Sequence, residues 1–184
     1  KRSNILNAAA TVFSKDGYHQ AKVEDIARTA GIGKGTIYLY FENKRHLFHC
    51  MMKEVFDIFL DSLYEQIEYK DDLEQILRTI IEYTFNFLDE HREMTNLIIN
   101  RPGTVDEDIQ TWISTEKQKI IQFIARVIAE YTTSNGYRRI NSAVAAHCFL
   151  GALVSLMAER LFGNKDMDAA KISDEILDIF FSGI

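Results

Sequence analysis

The sequence predicts an all-α protein. Apolar residues recur three and four apart along nearly its whole length, a single proline interrupts 184 residues, and residues 21–47 read as two short helices joined by a glycine turn.

Taken in order, the first helix runs from Ser3 to Asp16, with Ile5, Leu6, Ala9, Val12 and Phe13 on one face and Gly17 closing it. Val23, Ile26, Ala27 and Ala30 stripe the next, short helix. Its first turn carries Glu24 and Asp25, where the positive end of the helix dipole favours acids. Gly31 stops it by supplying a positive φ, and Ile32 plugs the gap before a second short helix from Lys34 to about Tyr40. In this motif Ala27 is the small residue that lets two helices cross closely, Gly31 the turn glycine and Ile37 the buried branched residue.

A long helix opens at about Lys44 and continues through Phe48, Met52, Val55, Phe56, Phe59 and Leu63. Further patterns cover Asp71 to Leu88 and Arg92 to Asn100, the latter broken by Arg101-Pro102-Gly103. Asp106 caps a helix to about Tyr131 that ends at Ser134-Asn135-Gly136, Asn141 caps another to about Phe162, and the last spans roughly Ala170 to Phe181. The expected architecture is a three-helix head, residues 1–46, on a helical body, residues 47–184, with about nine helices in all.

The residues left outside on the second motif helix indicate what the head is for. Lys34, Gly35 and Thr36 occupy its first turn, where a recognition helix meets base edges, and Tyr38 and Tyr40 lie further along with hydroxyls suited to phosphate. Lys44 adds a further phosphate cation where the next helix opens. Glycine is a poor helix former, so Gly35 is better explained by close backbone approach to a partner than by stability. Charge agrees. The whole chain carries a formal −6, but residues 1–46 hold eight Lys or Arg against four acids, and the remainder holds 13 against 23. A basic head on an acidic body is what selective docking of one end onto DNA requires.

These residues resemble the DNA-binding domain of the tetracycline-repressor-like (TetR) family of bacterial transcriptional regulators. The resemblance is carried by Phe13 to Gly17 with Tyr18, by Asp25-Ile26-Ala27, Ala30-Gly31-Ile32, Gly35-Thr36-Ile37-Tyr38 and Tyr40-Phe41, and by Asn43-Lys44 before Leu47. It covers roughly the first quarter of the chain. Beyond it, only length and helical pattern match. Ala21 and Lys22 stand where the family usually carries threonines, so the resemblance implies that Lys22 exchanges a hydroxyl contact to phosphate for a cationic one; Gly33 stands where the family usually has a hydroxyl residue that caps the second motif helix. GYHQ at 17–20 with GTIYLYF at 35–41 also resembles, more loosely, the regulators of fatty-acid degradation within the family, whose effectors are acyl-CoA thioesters.

The resemblance implies a repressor that binds a palindromic operator as a dimer and is released by a small apolar effector, with long-chain acyl-CoA or another lipid-like molecule as the leading class. The candidate effector contacts are the large body residues Phe85, Met94, Trp112, Phe123, Val127 and Phe149, with His147, Arg101 and Arg126 as partners for an anionic group. The dimer is expected through the last two helices, about 141–162 and 170–181. There Ala145, Ala146, Gly151, Ala152, Ser155 and Ala158 permit close packing beside Ile172, Ile176, Ile179 and Phe180. The alternative is a helical ligand-binding or carrier protein with a vestigial helix-turn-helix.

No glycine-rich phosphate loop, nucleophile elbow or zinc-protease helix appears, so neither an enzyme nor a cofactor is expected. His46, His49 and Cys50 stand at i, i+3 and i+4, a metal-ligand spacing, but no fourth ligand accompanies them and no metal is expected. No apolar run is read as a membrane span and no signal peptide opens the chain, whose Lys1 reads as a trimmed start. Two cysteines form no disulfide framework, which points to a reducing cytoplasm.

Overall fold

Helix alone accounts for the regular structure among the residues described by a computed structural model, which are 1–92, 107–134, 140–163 and 168–182. Eight helices lie there: α1 (Arg2–Gln20), α2 (Val23–Thr29), α3 (Lys34–Tyr38), α4 (Lys44–Ile67), α5 (Leu73–Glu90), α6 (Glu107–Ser134), α7 (Ser142–Phe162) and α8 (Ala169–Ser182). The chain is all-α, as expected. Met94, most of the Arg92–Asn100 segment, the Arg101-Pro102-Gly103 break, the Asp106 cap and the Asn135-Gly136 turn lie outside the described residues.

The chain divides into two compact units. The first is Lys1–Ser62 with the described part of His91–Ile109, and the second is Leu63–Glu90 with Gln110–Ile184. In the first, α1 packs on α2 and α2 on α3. Ile5, Phe13, Ile26, Ile37, Phe41, Leu47 and Phe48 are almost wholly buried, and the Phe13 and Phe48 rings meet edge to face at 4.9 Å. Gly17 breaks the helical path of α1 at φ 73°, ψ 164°, which turns Tyr18 back onto both rings, with centroids 5.9 Å from Phe13 and 4.9 Å from Phe48. Gly31 has φ 67°, the left-handed conformation predicted for the turn. Asn4 donates from Nδ2 to the Ala30 carbonyl at 2.9 Å and so ties α1 to that turn.

α4 begins on a reciprocal cap. The His46 amide donates to Asn43 Oδ1 at 2.8 Å while the Glu42 amide donates to His46 Nδ1 at 3.2 Å, so two amides at the helix entrance are satisfied. Asn43 thereby fixes where the chain leaves the motif.

In the second unit α5 packs on α8 and on α7. Leu77, Ile81, Phe85 and Leu88 present the buried face of α5, and Phe149, Leu153, Ile172 and Leu177 answer it. Arg78 reaches from α5 to the Ser173 hydroxyl at 3.2 Å and pairs with Asp174 and Glu74; Ser173, fully buried, also donates to the Ala170 carbonyl at 2.7 Å. Asn141 caps α7 as predicted, accepting from the Val144 amide at 3.1 Å.

One expectation is corrected. α7 is long and apolar enough, by length and composition, to cross a membrane. Ala, Gly and Ser break up the run, while Val, Leu, Phe and Met keep its average apolarity high. Phe149, Leu150, Leu153 and Leu161 are buried, while Val144, Gly151, Ala152 and Ser155 lie exposed on another face.

Candidate nucleic-acid interface

α3 is only five residues long, and its single buried side chain is Ile37, 1% exposed. One inward anchor on so short a helix leaves the rest of the turn facing out. Tyr38 and Tyr40 are 45% and 42% exposed, Thr36 is half-buried, and Lys34 and Gly35 are exposed. The helix ends two residues earlier than predicted, but Leu39 keeps helical dihedrals and the Phe41 amide donates to the Ile37 carbonyl at 2.9 Å, so the turn continues to Tyr40. Gly33 sits at the N-cap in extended conformation without a side-chain cap, the consequence foreseen for the missing hydroxyl. A Cβ built on Gly35 meets nothing within 4 Å, so the fold itself does not demand glycine there.

The cations differ in their freedom. Lys22 is exposed at the N-cap of α2, its carbonyl accepting from the Asp25 and Ile26 amides. Lys34 Nζ lies 2.5 Å from Glu24 Oε1 and 5.8 Å from the centre of the Tyr38 ring. That hydrogen bond lowers the Glu24 carboxyl pKa and raises that of the Lys34 ammonium. Lys44 is half-buried: its Nζ donates to the His19 carbonyl at 3.0 Å and stands 4.9 Å from the Tyr18 ring centre, and burial lowers its pKa. Its first duty in the free protein is to close the end of α1 against α4.

Leu39 is absent from the set assembled from sequence, yet it is 81% exposed between the two tyrosines. Counting about 100° per residue from buried Ile37 would have found it, because it falls almost opposite the core.

The second unit brings together only part of the predicted effector set. Phe123 and Val127 line a groove of about 470 Å³ with Tyr64, Ile67, Ile76 and Tyr131, and the Tyr64 and Phe123 rings meet edge to face at 4.9 Å. Glu65, Glu68, Glu130 and Lys70 line it too. Tyr131 donates to the Lys70 carbonyl at 3.0 Å, and its hydroxyl pKa is raised by burial first and then by Asp71, Glu130 and Asp72, a sign of local negative potential. Phe85 and Phe149 do not line the groove. Each is sealed in the core, Phe85 beneath the Arg160 guanidinium at 5.6 Å and Phe149 against Phe180 at 5.8 Å. Trp112 is half-buried on α6, Arg126 is exposed on α6 and His147 is exposed on α7; Met94 and Arg101 lie outside the described residues.

Residues 5–51 match the model of the bacterial regulatory proteins, tetR family. The fatty acid metabolism regulator protein of Bacillus subtilis is 25% identical over an alignment spanning 100% of this chain and 95% of that protein. The structure of the transcriptional regulator FadR from Bacillus subtilis, solved in complex with stearoyl-CoA, superposes with a TM-score of 0.90 at 24% identity, covering 100% of both chains. AibR, solved with isovaleryl coenzyme A and operator DNA, superposes with a TM-score of 0.78 at 19% identity over 98% of each chain.

Proposed function

Because the chain belongs, through residues 5–51, to the tetR family of bacterial regulatory proteins, we propose that it acts as a dimeric repressor whose operator affinity is set by an acyl-CoA thioester. The observation that carries the DNA-binding half is the outward face of α3, where one buried isoleucine leaves Thr36, Tyr38 and Tyr40 presented beside Lys22 and Lys34. Such a surface has no purpose in a carrier protein. Phosphates are met by Lys22 and Lys34 and by the tyrosine hydroxyls, with Lys44, shared with the His19 carbonyl, adding a partial contact, and bases by Gly35 and Thr36 at the start of the helix. A regulator of this kind works in the cytoplasm, where the chromosome is.

Dimerisation is supported by the uncovered face of α7 and α8. Val144 is 57% and Ile179 58% exposed, and His147, Gly151, Ala152 and Ser155 continue a face slim enough for close approach. A second copy covering it about a two-fold axis gives two reading helices for the two halves of a palindrome.

For the effector, support comes from the relatives: one is a fatty acid metabolism regulator, and similar folds are solved with stearoyl-CoA and with isovaleryl coenzyme A. The lining of the groove supports a placement for the acyl chain. Its wall of Phe123, Val127, Ile67 and Ile76 suits an acyl chain, whereas Glu65, Glu68 and Glu130 repel phosphates, so the nucleotide end lies away from them. Repression is relieved when the ligand prefers the arrangement that cannot bind DNA; a tenfold loss of operator affinity needs about 1.4 kcal/mol of such preference.

The test is a titration of a selected palindromic duplex with acyl-CoAs of increasing chain length, calorimetry run beside DNA release. Binding that strengthens with chain length and releases DNA is expected. Length-independent binding, or binding without release, rejects the thioester.

A further inference from the structure

We infer that Leu39 reads sequence: its side chain packs on the C5-methyl group of a thymine in the major groove and makes the protein select thymine at one position of each half-site. The inference rests on the DNA-binding reading above.

Leu39 is held firmly although it is exposed. Its φ of −71° and ψ of −23° are helical, its amide donates to the Thr36 carbonyl at 3.3 Å, and the Tyr40 amide donates to the Ile37 carbonyl at 3.0 Å. With about 100° of rotation per residue, Gly35 and Leu39 fall about 160° to either side of Ile37. Since Ile37 points into the core, those two positions form the outermost strip of the motif. Gly35 leaves that strip bare for a full turn, with nothing within 4 Å of where a Cβ would stand, and Leu39 rises at its far end, 81% exposed.

A lone exposed leucine calls for no explanation, but Tyr38, Leu39 and Tyr40 are three consecutive large side chains in water on a fixed backbone. The tyrosines have hydroxyls to give to phosphate or base edges. Leucine has neither donor nor acceptor. On the major-groove edge of a base pair the apolar group on offer is the thymine methyl, so that is the contact by which Leu39 leaves water. Lys22 and Lys34 supply the charge that brings a phosphate backbone to this face.

The test uses the full chain and a duplex selected from a random pool. Each thymine is replaced singly by deoxyuridine, which removes only the methyl, and affinities are measured by anisotropy for the wild type and Leu39→Ala. One thymine per half-site is expected at which the wild type weakens about fourfold, the size of one methyl group returned to water, while Leu39→Ala is indifferent. At every other thymine the two proteins respond alike. Thermal melting of Leu39→Ala is expected to match the wild type closely, because the residue is 81% exposed in the free protein. If no thymine separates the two proteins, the inference is overturned while DNA binding stands. If the wild type selects no duplex at all, the DNA-binding reading fails and this inference with it.

Discussion

Ile37 and Tyr38 are neighbours on one turn with opposite duties, and a pair of substitutions separates them. Ile37 is 1% exposed, so Ile37→Ala removes about three carbon groups from the core at about 0.8 kcal/mol each and leaves a cavity, for a total of about 3 kcal/mol. Tyr38 is 45% exposed, and Tyr38→Phe removes one outward hydroxyl, which changes stability by less than about 0.5 kcal/mol. The effects on DNA run the other way. If the head of Ile37→Ala keeps about 2 kcal/mol of stability, only about 3% of it is unfolded, and operator affinity falls by a similarly small fraction. Loss of one hydrogen bond to phosphate in Tyr38→Phe weakens binding about twofold to tenfold. Melting followed by circular dichroism, with operator binding measured at low and at raised temperature, makes the contrast visible. Ile37→Ala is expected to melt early and to lose DNA only near its melting point, whereas Tyr38→Phe is expected to melt normally and to bind weakly at every temperature. Equal melting losses in both variants would refute the division of the turn into an inward and an outward face.

Two further substitutions probe the cations. Lys44→Ala is expected to destabilise the head by about 1 kcal/mol, through loss of the charged hydrogen bond to His19 and of the contact with the Tyr18 ring. The slope of log affinity against log salt should fall by less than the about one unit that a freely placed phosphate contact gives; a full unit would mean that the ammonium leaves His19 when DNA binds. Glu24→Gln releases Lys34 from its ion pair and is expected to tighten binding to a non-operator duplex and to steepen its salt dependence; unchanged binding would remove Lys34 from the DNA surface. Because the folded state lowers the Glu24 pKa, the pair is complete above the ordinary carboxylate range and is lost as pH falls through the lowered value. The wild type and Glu24→Gln should therefore keep a constant affinity ratio from pH 6 to pH 8, taken as approximate limits well above carboxylate pKa values of about 4.

Most of what makes this chain a helix-turn-helix protein is written locally in its sequence. The stripe of Val23, Ile26 and Ala27, the positive φ of Gly31, the inward Ile37, the uncapped Gly33 and the cap from Asn141 each depend on residues within a turn or two, so the 3.6-residue period and the chemistry of a few atoms decide them. Partnerships across the chain were not legible. Lys34 and Lys44 look alike in sequence, yet one meets Glu24 ten residues away and the other is drawn to His19 and Tyr18 across the end of α1. Phe85, Phe123 and Phe149 are equally apolar letters on helical stripes. Only the packing of α5, α7 and α8 seals Phe85 and Phe149, while Phe123 remains in an open groove. A side chain's type fixes what it is able to contact, but whether it meets core, partner or water depends on segments far along the chain, and those are brought together only when the tertiary structure closes.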